Sequence, residues 1–88
     1  MEELTRDKLI RFIRKEVFEA VQIANRAAFW NNVKDNAYWV GILDANLRML
    51  QRIGCSVEHT VKKSEDFKIE TILNIKIDGV YWYGWAAK

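Results

Sequence analysis

Apolar side chains recur every three or four residues through the first half of the chain. In the first run they are Leu9, Ile13, Val17, Ala20, Ala24, Ala27 and Ala28. A second run with the same spacing stops at Gly54, the residue type favoured just after a helix C-terminus. Spacing of this kind is the period of one α-helix face, so the pattern predicts two helices, over about 5–33 and 36–53, that form an antiparallel hairpin.

The residues after the second helix alternate between apolar and polar side chains. The alternation runs from Cys55 to Val61 and again from Phe67 to Ile77. Strict alternation is typical of a β-strand with one buried face. We expect three strands, over about 55–61, 67–77 and 80–86.

The dipeptide Asp78-Gly79 separates the last two predicted strands. A two-residue type I′ turn needs a positive φ at both positions, and Asp-Gly is one of the pairs that adopt it. These strands should therefore form a tight hairpin. Together the elements predict an α+β fold in which the N-terminal helical hairpin packs on one face of a three-stranded antiparallel meander (α-α-β-β-β). At 88 residues the chain has the size of a single domain, 1–88.

The position of this turn sets the strand register, and the register decides which side chains share a face of the sheet. With Ile75 opposite Trp82, one face is continuously apolar and should carry the helices. The other face should carry a row of large side chains with polar neighbours. We interpret this row as a protein-binding face with these contact residues: Tyr81, Tyr83, Trp85, Ile72, Lys76 and Lys68.

An exposed aromatic row on a sheet allows more than one interpretation. Single-stranded nucleic acid stacks its bases on such rings, whereas a protein partner buries them. The charges favour a protein, because 14 Lys and Arg stand against 12 Asp and Glu without a basic cluster, and Glu58 and Glu70 share the predicted face. Alternatively, the rings stabilise the sheet itself through cross-strand pairs and a cation–π contact with Lys76.

Two phenylalanines fall on the polar side of the first predicted helix. Phe18 and Phe29 lie there among charged residues, so a monomer would expose both rings to water. We expect them to contact a second copy of the chain in a homodimer, unless the helix bends near Asn25 and turns Phe29 to the other side. Gly84, near the end of the last strand, leaves room for another backbone, which would also allow two copies to pair.

Three polar residues fall on faces that the pattern predicts to be buried. Glu16, Asn46 and His59 could line a small pocket for a ligand, although such residues also satisfy one another's hydrogen bonds. The sequence has no glycine-rich phosphate loop, no catalytic motif and no second pair of ligands to complete a metal site with Cys55 and His59. We therefore expect no enzyme activity, no cofactor and no metal.

The composition predicts a location and a broad role. A single cysteine cannot form an intramolecular disulfide, and no uncharged run approaches the ~20 residues of a membrane span. The first residues lack the apolar stretch of a signal peptide. We expect a cytoplasmic protein that does not enter a membrane. The sequence favours a small inhibitor or adaptor, of the kind that phages use against host defence machinery, with nucleic-acid binding and small-ligand sensing as the alternatives.

Overall fold

The computed structural model describes residues 2–85, with side chains from residue 5 onward. Both helices pack on one face of an antiparallel sheet whose strand order is β1-β2-β3. The fold is therefore the α+β arrangement, α-α-β-β-β, that the sequence predicts. The elements are α1 (Glu2–Phe29), α2 (Val33–Arg52), β1 (Val57–Lys63), β2 (Glu70–Ile77) and β3 (Val80–Tyr83).

The two helices end in the same kind of backbone motif. α1 ends at Phe29 rather than near residue 33, because Asn31 adopts a left-handed φ of 55°. The N–H of Asn32 then donates to the carbonyl of Ala27 (2.8 Å), which completes a Schellman motif. α2 ends likewise, with Gly54 in the left-handed position, as the sequence predicts.

Both helices begin earlier than predicted. α1 begins at Glu2 rather than near residue 5. α2 begins at Val33 because the side chain of Asn32 accepts the N–H of Asp35 (3.1 Å) and caps the helix. Within residues 2–85, neither helix has the length and apolar character needed to cross a bilayer.

The core lies between the helix pair and the sheet. Burying apolar surface here supplies most of the drive to fold, at roughly 25 cal/mol per Å². The buried side chains that form its central cluster are Ile13, Val17, Ala20, Val21, Leu43, Leu47, Leu50, Cys55, Ile72, Ile75 and Ile77.

The turn between β2 and β3 is the predicted one. Asp78 and Gly79 have φ values of 49° and 82°, which are the positive angles that a type I′ turn needs. The turn is also tied to the start of β1. The N–H of Ser56 donates to Oδ1 of Asp78 (2.7 Å), and the N–H of Asp78 donates to the Ser56 carbonyl (2.9 Å).

An irregularity between β1 and β2 changes the predicted faces of the sheet. Thr60 faces Asn74 while Val61 faces Ile72, so Leu73 has no partner in β1. An extra residue in one strand reverses the alternation of side chains beyond it. Ile72 therefore points into the core and is 2% exposed, whereas Leu73 is 46% exposed. The prediction that Ile72 lies on the solvent face is wrong.

A second irregularity lies between β2 and β3. Lys76 faces Tyr81 and Ile75 faces Tyr83, so Trp82 has no partner in β2. The predicted pairing of Ile75 with Trp82 is therefore wrong. Tyr83 shares the helix side of the sheet with Ile75, and Trp82 also packs against the core. β3 ends at Tyr83, so Gly84 and Trp85 do not belong to the strand as predicted, and the predicted strand end at residue 86 lies outside the described residues.

The loop between β1 and β2 is longer than predicted. β2 begins at Glu70 rather than near residue 67, because Phe67 adopts a left-handed φ of 60° that a strand cannot contain. Hydrogen bonds fix the loop: Oδ1 of Asp66 accepts the Ser64 hydroxyl (2.7 Å) and the Lys68 N–H (3.1 Å). Lys68 therefore lies in this loop and not on the sheet face where the sequence places it.

Two asparagines from the helices bind the first half of β2, where β3 does not reach. The side chain of Asn25 donates to the carbonyl of Ile72 (3.0 Å) and accepts its N–H (2.8 Å). The side chain of Asn36 makes the same pair of bonds with Glu70 (2.8 and 2.9 Å). Each amide thus takes the hydrogen bonds that a neighbouring strand would take. These contacts fasten both helices to the sheet.

Candidate protein-binding face

The side of the sheet opposite the helices carries an open depression of about 960 Å³. Its apolar lining includes Leu73, Tyr81 and Trp85, and its polar lining includes Glu58 and Lys76. Trp85 is 79% exposed, and the leucine that the bulge turns outward lies in the same depression. We call these five residues the outer face.

A glycine allows Trp85 to reach this depression. Gly84 has a φ of 69°, and a Cβ there would overlap the carbonyl oxygen of Leu73 and lie 3.0 Å from the Cβ of Asn74. Only a residue without a side chain fits so close to the bulge. The backbone next to Gly84 is thus that of the chain's own β2, and pairing of two copies at this strand stays a prediction.

The charges on the outer face are largely paired. The Lys76 ammonium lies 5.3 Å from the centre of the Tyr81 ring and 4.0 Å from a carboxylate oxygen of Glu58. The expected cation–π contact between Lys76 and Tyr81 is therefore present. This lysine contributes to cross-strand pairing, and its charge is partly neutralised before any partner arrives.

The structure separates the six predicted contact residues into two groups. Tyr81, Trp85 and Lys76 lie on the outer face. Tyr83 also lines the depression, but it is half-buried and its hydroxyl accepts a hydrogen bond from Nδ2 of Asn25 (3.0 Å), so its ring is tied to α1 and its contact with a partner stays a prediction. Ile72 and Lys68 leave the face for the reasons given above.

Leu73 is a residue of the outer face that sequence reasoning missed, because alternation places it in the core. The only local signal is Gly84, since a glycine in a strand often marks a bulge or a close approach of backbones.

The structure does not assemble the predicted ligand pocket. His59 is exposed and lies in an open groove of about 700 Å³ between α2 and β1, which neither Glu16 nor Asn46 lines. The side chain of Asn46 instead donates to the carbonyl of Ile42 in its own helix (2.9 Å). The prediction that these three residues meet is wrong, because helical spacing gives the side of a helix but not the neighbour it faces.

The single cysteine lies in the core. Burial, followed by the negative charge of Asp78, raises the pKa of the Cys55 thiol above its ordinary value of 9.0. The thiol is therefore protonated at neutral pH. No cluster of three His, Cys, Asp or Glu suited to a metal ion occurs within the part of the chain that the structure describes.

The two phenylalanines of α1 are exposed, as the sequence predicts, but they lie in different surroundings. Phe18 lines a groove between α1 and β3 that also contains Trp82. Phe29 packs edge to face against Trp30 at the end of the helix, with ring centres 5.1 Å apart. Their contact with a second copy stays a prediction.

Comparison with known proteins assigns no family to the chain. No family pattern matches it, and no curated protein and no solved structure is significantly similar to it.

Proposed function

We propose that this protein is a binding module whose outer face docks an apolar segment of a protein partner. The observation that carries the proposal is the bulge that turns Leu73 to solvent beside Tyr81 and Trp85. A bulge often redirects a side chain near a functional site. Soluble monomers rarely gather large apolar side chains around an open depression unless something binds there.

The charges of the outer face favour a protein over single-stranded nucleic acid. Nucleic-acid binding draws its affinity from several free cations that neutralise phosphates. Lys76 is already engaged by Glu58 and Tyr81, and Lys68 lies in the loop between β1 and β2. Nucleic acid is the second candidate because exposed Trp85 and Tyr81 could stack on bases.

The proposed role is non-enzymatic, as inhibitor or adaptor. An apolar face of this kind acts by covering part of a partner or by bridging two partners. We place the protein in a reducing compartment such as the cytoplasm, where the Cys55 thiol stays free.

The proposal can be tested by panning a phage-displayed random-peptide library on the wild-type protein. We expect this selection to enrich apolar peptides. Trp85→Ala and Leu73→Ser should each weaken the binding of the enriched peptides at least about tenfold. Tyr38→Ala is the matched control, because Tyr38 is a 64% exposed aromatic of α2 outside the outer face. Thermal melts should show that all three variants fold.

Three results would contradict the proposal. One is the failure of any peptide to be enriched, and another is binding that Trp85→Ala leaves unchanged. The third is equal weakening by Tyr38→Ala, which would indicate unspecific adhesion. Labelled single-stranded DNA of mixed sequence, titrated at low and high salt, tests the second candidate. Salt-sensitive affinity that depends on Trp85 would replace the protein partner by nucleic acid.

A further inference from the structure

A second surface with distinctive chemistry lies on the other side of the sheet, between α1 and β3. Phe18 and Trp82 line an open groove there of about 620 Å³. Three cations surround these rings, Arg11, Arg14 and Lys15, against the single carboxylate of Glu19. We call these six residues the basic groove.

The cations of the basic groove are available to an incoming anion. None of the three forms an ion pair with a residue that the structure describes. The Arg14 guanidinium lies 5.2 Å from the centre of the Trp82 ring, which holds it at the wall of the groove. The groove therefore suits a segment in which an apolar side chain lies next to negatively charged residues.

The same chain carries a segment with this chemistry. Phe67 in the loop between β1 and β2 is 75% exposed, and Glu65 and Asp66 directly precede it. Hydrogen bonds from the Ser64 hydroxyl and the Lys68 N–H lower the pKa of Asp66 below its ordinary value of 3.8, so its carboxylate is charged at neutral pH. Glu65 forms no ion pair with any described residue. Lys68 follows Phe67 and offsets one of the two negative charges, so residues 64–68 carry a net negative charge; we call them the acidic loop.

The acidic loop has a fixed shape that holds the Phe67 ring in solvent. Phe67 keeps a left-handed φ of 60°, which L side chains rarely adopt, while its N–H donates to the Ser64 carbonyl (2.9 Å). The Ser64 hydroxyl oxygen also accepts the N–H of Ile69 (3.1 Å). Strained backbone persists where its surroundings enforce it, and a rigid loop loses little entropy on docking.

We propose that the protein self-associates by placing Phe67 of one copy in the basic groove of a second copy. The ring enters between Phe18 and Trp82, and the two carboxylates of the acidic loop lie against the cations of the groove. Related by a twofold axis, each copy fills the groove of the other, and the assembly closes as a dimer. The outer face stays free in this arrangement, so a dimer presents two such faces to a partner.

Sedimentation velocity over a range of concentrations tests the dimer. We expect the wild type to dimerise, and we expect Phe67→Asn and Phe18→Gln each to raise the dissociation constant at least about tenfold. Asparagine tolerates the left-handed backbone, so Phe67→Asn removes the ring without disturbing the loop. Phe12→Gln is the control, because Phe12 is a 62% exposed residue of α1 outside the groove, and it should leave the constant unchanged.

A mixing experiment tests whether the loop and the groove belong to different copies. Phe67→Asn keeps an intact groove but an altered loop, and Phe18→Gln keeps an intact loop but an altered groove, so neither variant can dimerise with both contacts intact. In an equimolar mixture the intact loop of Phe18→Gln can enter the intact groove of Phe67→Asn. We therefore expect labelled Phe67→Asn to associate with unlabelled Phe18→Gln. Added salt should weaken this association, because exposed charges are screened.

The proposal is overturned by a wild type that stays monomeric at every concentration. It is also overturned by a dimer that survives both variants, by equal loss with Phe12→Gln, or by a mixture that does not associate. Trp85→Ala should leave the dimer intact, and Phe67→Asn should still bind outer-face peptides. A failure of the dimer is thereby distinguished from a failure of the outer face.

Discussion

Replacing Asn36 by alanine tests how the helices are fastened to the sheet. Asn36 is 1% exposed, and its side chain makes three hydrogen bonds. It donates to the carbonyls of Ala24 (2.9 Å) and Glu70 (2.8 Å) and accepts the Glu70 N–H (2.9 Å). One amide therefore joins α1, α2 and β2, and alanine removes all three bonds.

The expected cost follows from those bonds. Each contributes about 1 kcal/mol net, so the three together contribute about 3 kcal/mol. Alanine is a better helix former than asparagine by about 0.6 kcal/mol, which offsets part of the loss. We expect the free energy of unfolding to fall by about 2–2.5 kcal/mol. For a chain of this size, that lowers the melting temperature by roughly 10–20 °C.

Urea unfolding followed by far-UV circular dichroism measures this change. Asn46→Ala is the matched control, because Asn46 lies in the same helix and its side chain donates only to the Ile42 carbonyl of its own helix. Its free energy of unfolding should change by less than about 0.5 kcal/mol. Equal losses for Asn36→Ala and Asn46→Ala would refute the reasoning, and so would a loss below about 0.5 kcal/mol for Asn36→Ala.

Three further predictions concern the strand end and the buried thiol. Gly84→Ala should lower the free energy of unfolding by about 2–3 kcal/mol, because its Cβ meets the Leu73 carbonyl at a positive φ, whereas Gly41→Ala, in open space within α2, should raise it by about 0.5–1 kcal/mol. Tyr83→Phe removes the hydrogen bond from Asn25 and should lower the free energy of unfolding by about 1 kcal/mol. Tyr81→Phe should leave it almost unchanged, and urea unfolding measures both variants. Burial raises the pKa of Cys55 above 9.0, so the native state holds this proton longer than the unfolded chain. The stability that the protonated thiol contributes is fully present below pH 9 and is lost as the pH rises through the native pKa of Cys55. A Cys55→Ala variant should therefore lose less stability above pH 9 than the wild type. Unfolding free energies measured over a range of pH values test this, and equal losses for both proteins would contradict it.

The two proposed surfaces assign five aromatic side chains of the chain to different tasks. Trp85 and Tyr81 belong to the outer face, whereas Phe18, Trp82 and Phe67 belong to the proposed contact between copies. The variants above separate the tasks, because Trp85→Ala removes one surface and Phe67→Asn removes the other.

The sequence by itself determined the elements and their order. Spacing of three and four residues marks the helices, alternation marks the strands, and Asp78-Gly79 marks the turn with positive φ at both residues. Each of these signals is local, because it depends on the backbone preferences of a few neighbouring residues. Three of the six predicted face residues, Tyr81, Trp85 and Lys76, follow from them.

Only the tertiary structure decided which side chains of the sheet point to the core and which point to solvent. The irregularities at Leu73 and Trp82 are set by how β2 fits its neighbours and the helices, and a shift of one residue moves a side chain from core to solvent. In the same way Asn25, on the polar side of α1 by its spacing, reaches Ile72 because the edge of the sheet lies beside it. Local backbone preferences fix where helices, strands and turns form, but the partner that each side chain contacts depends on residues far away in the chain.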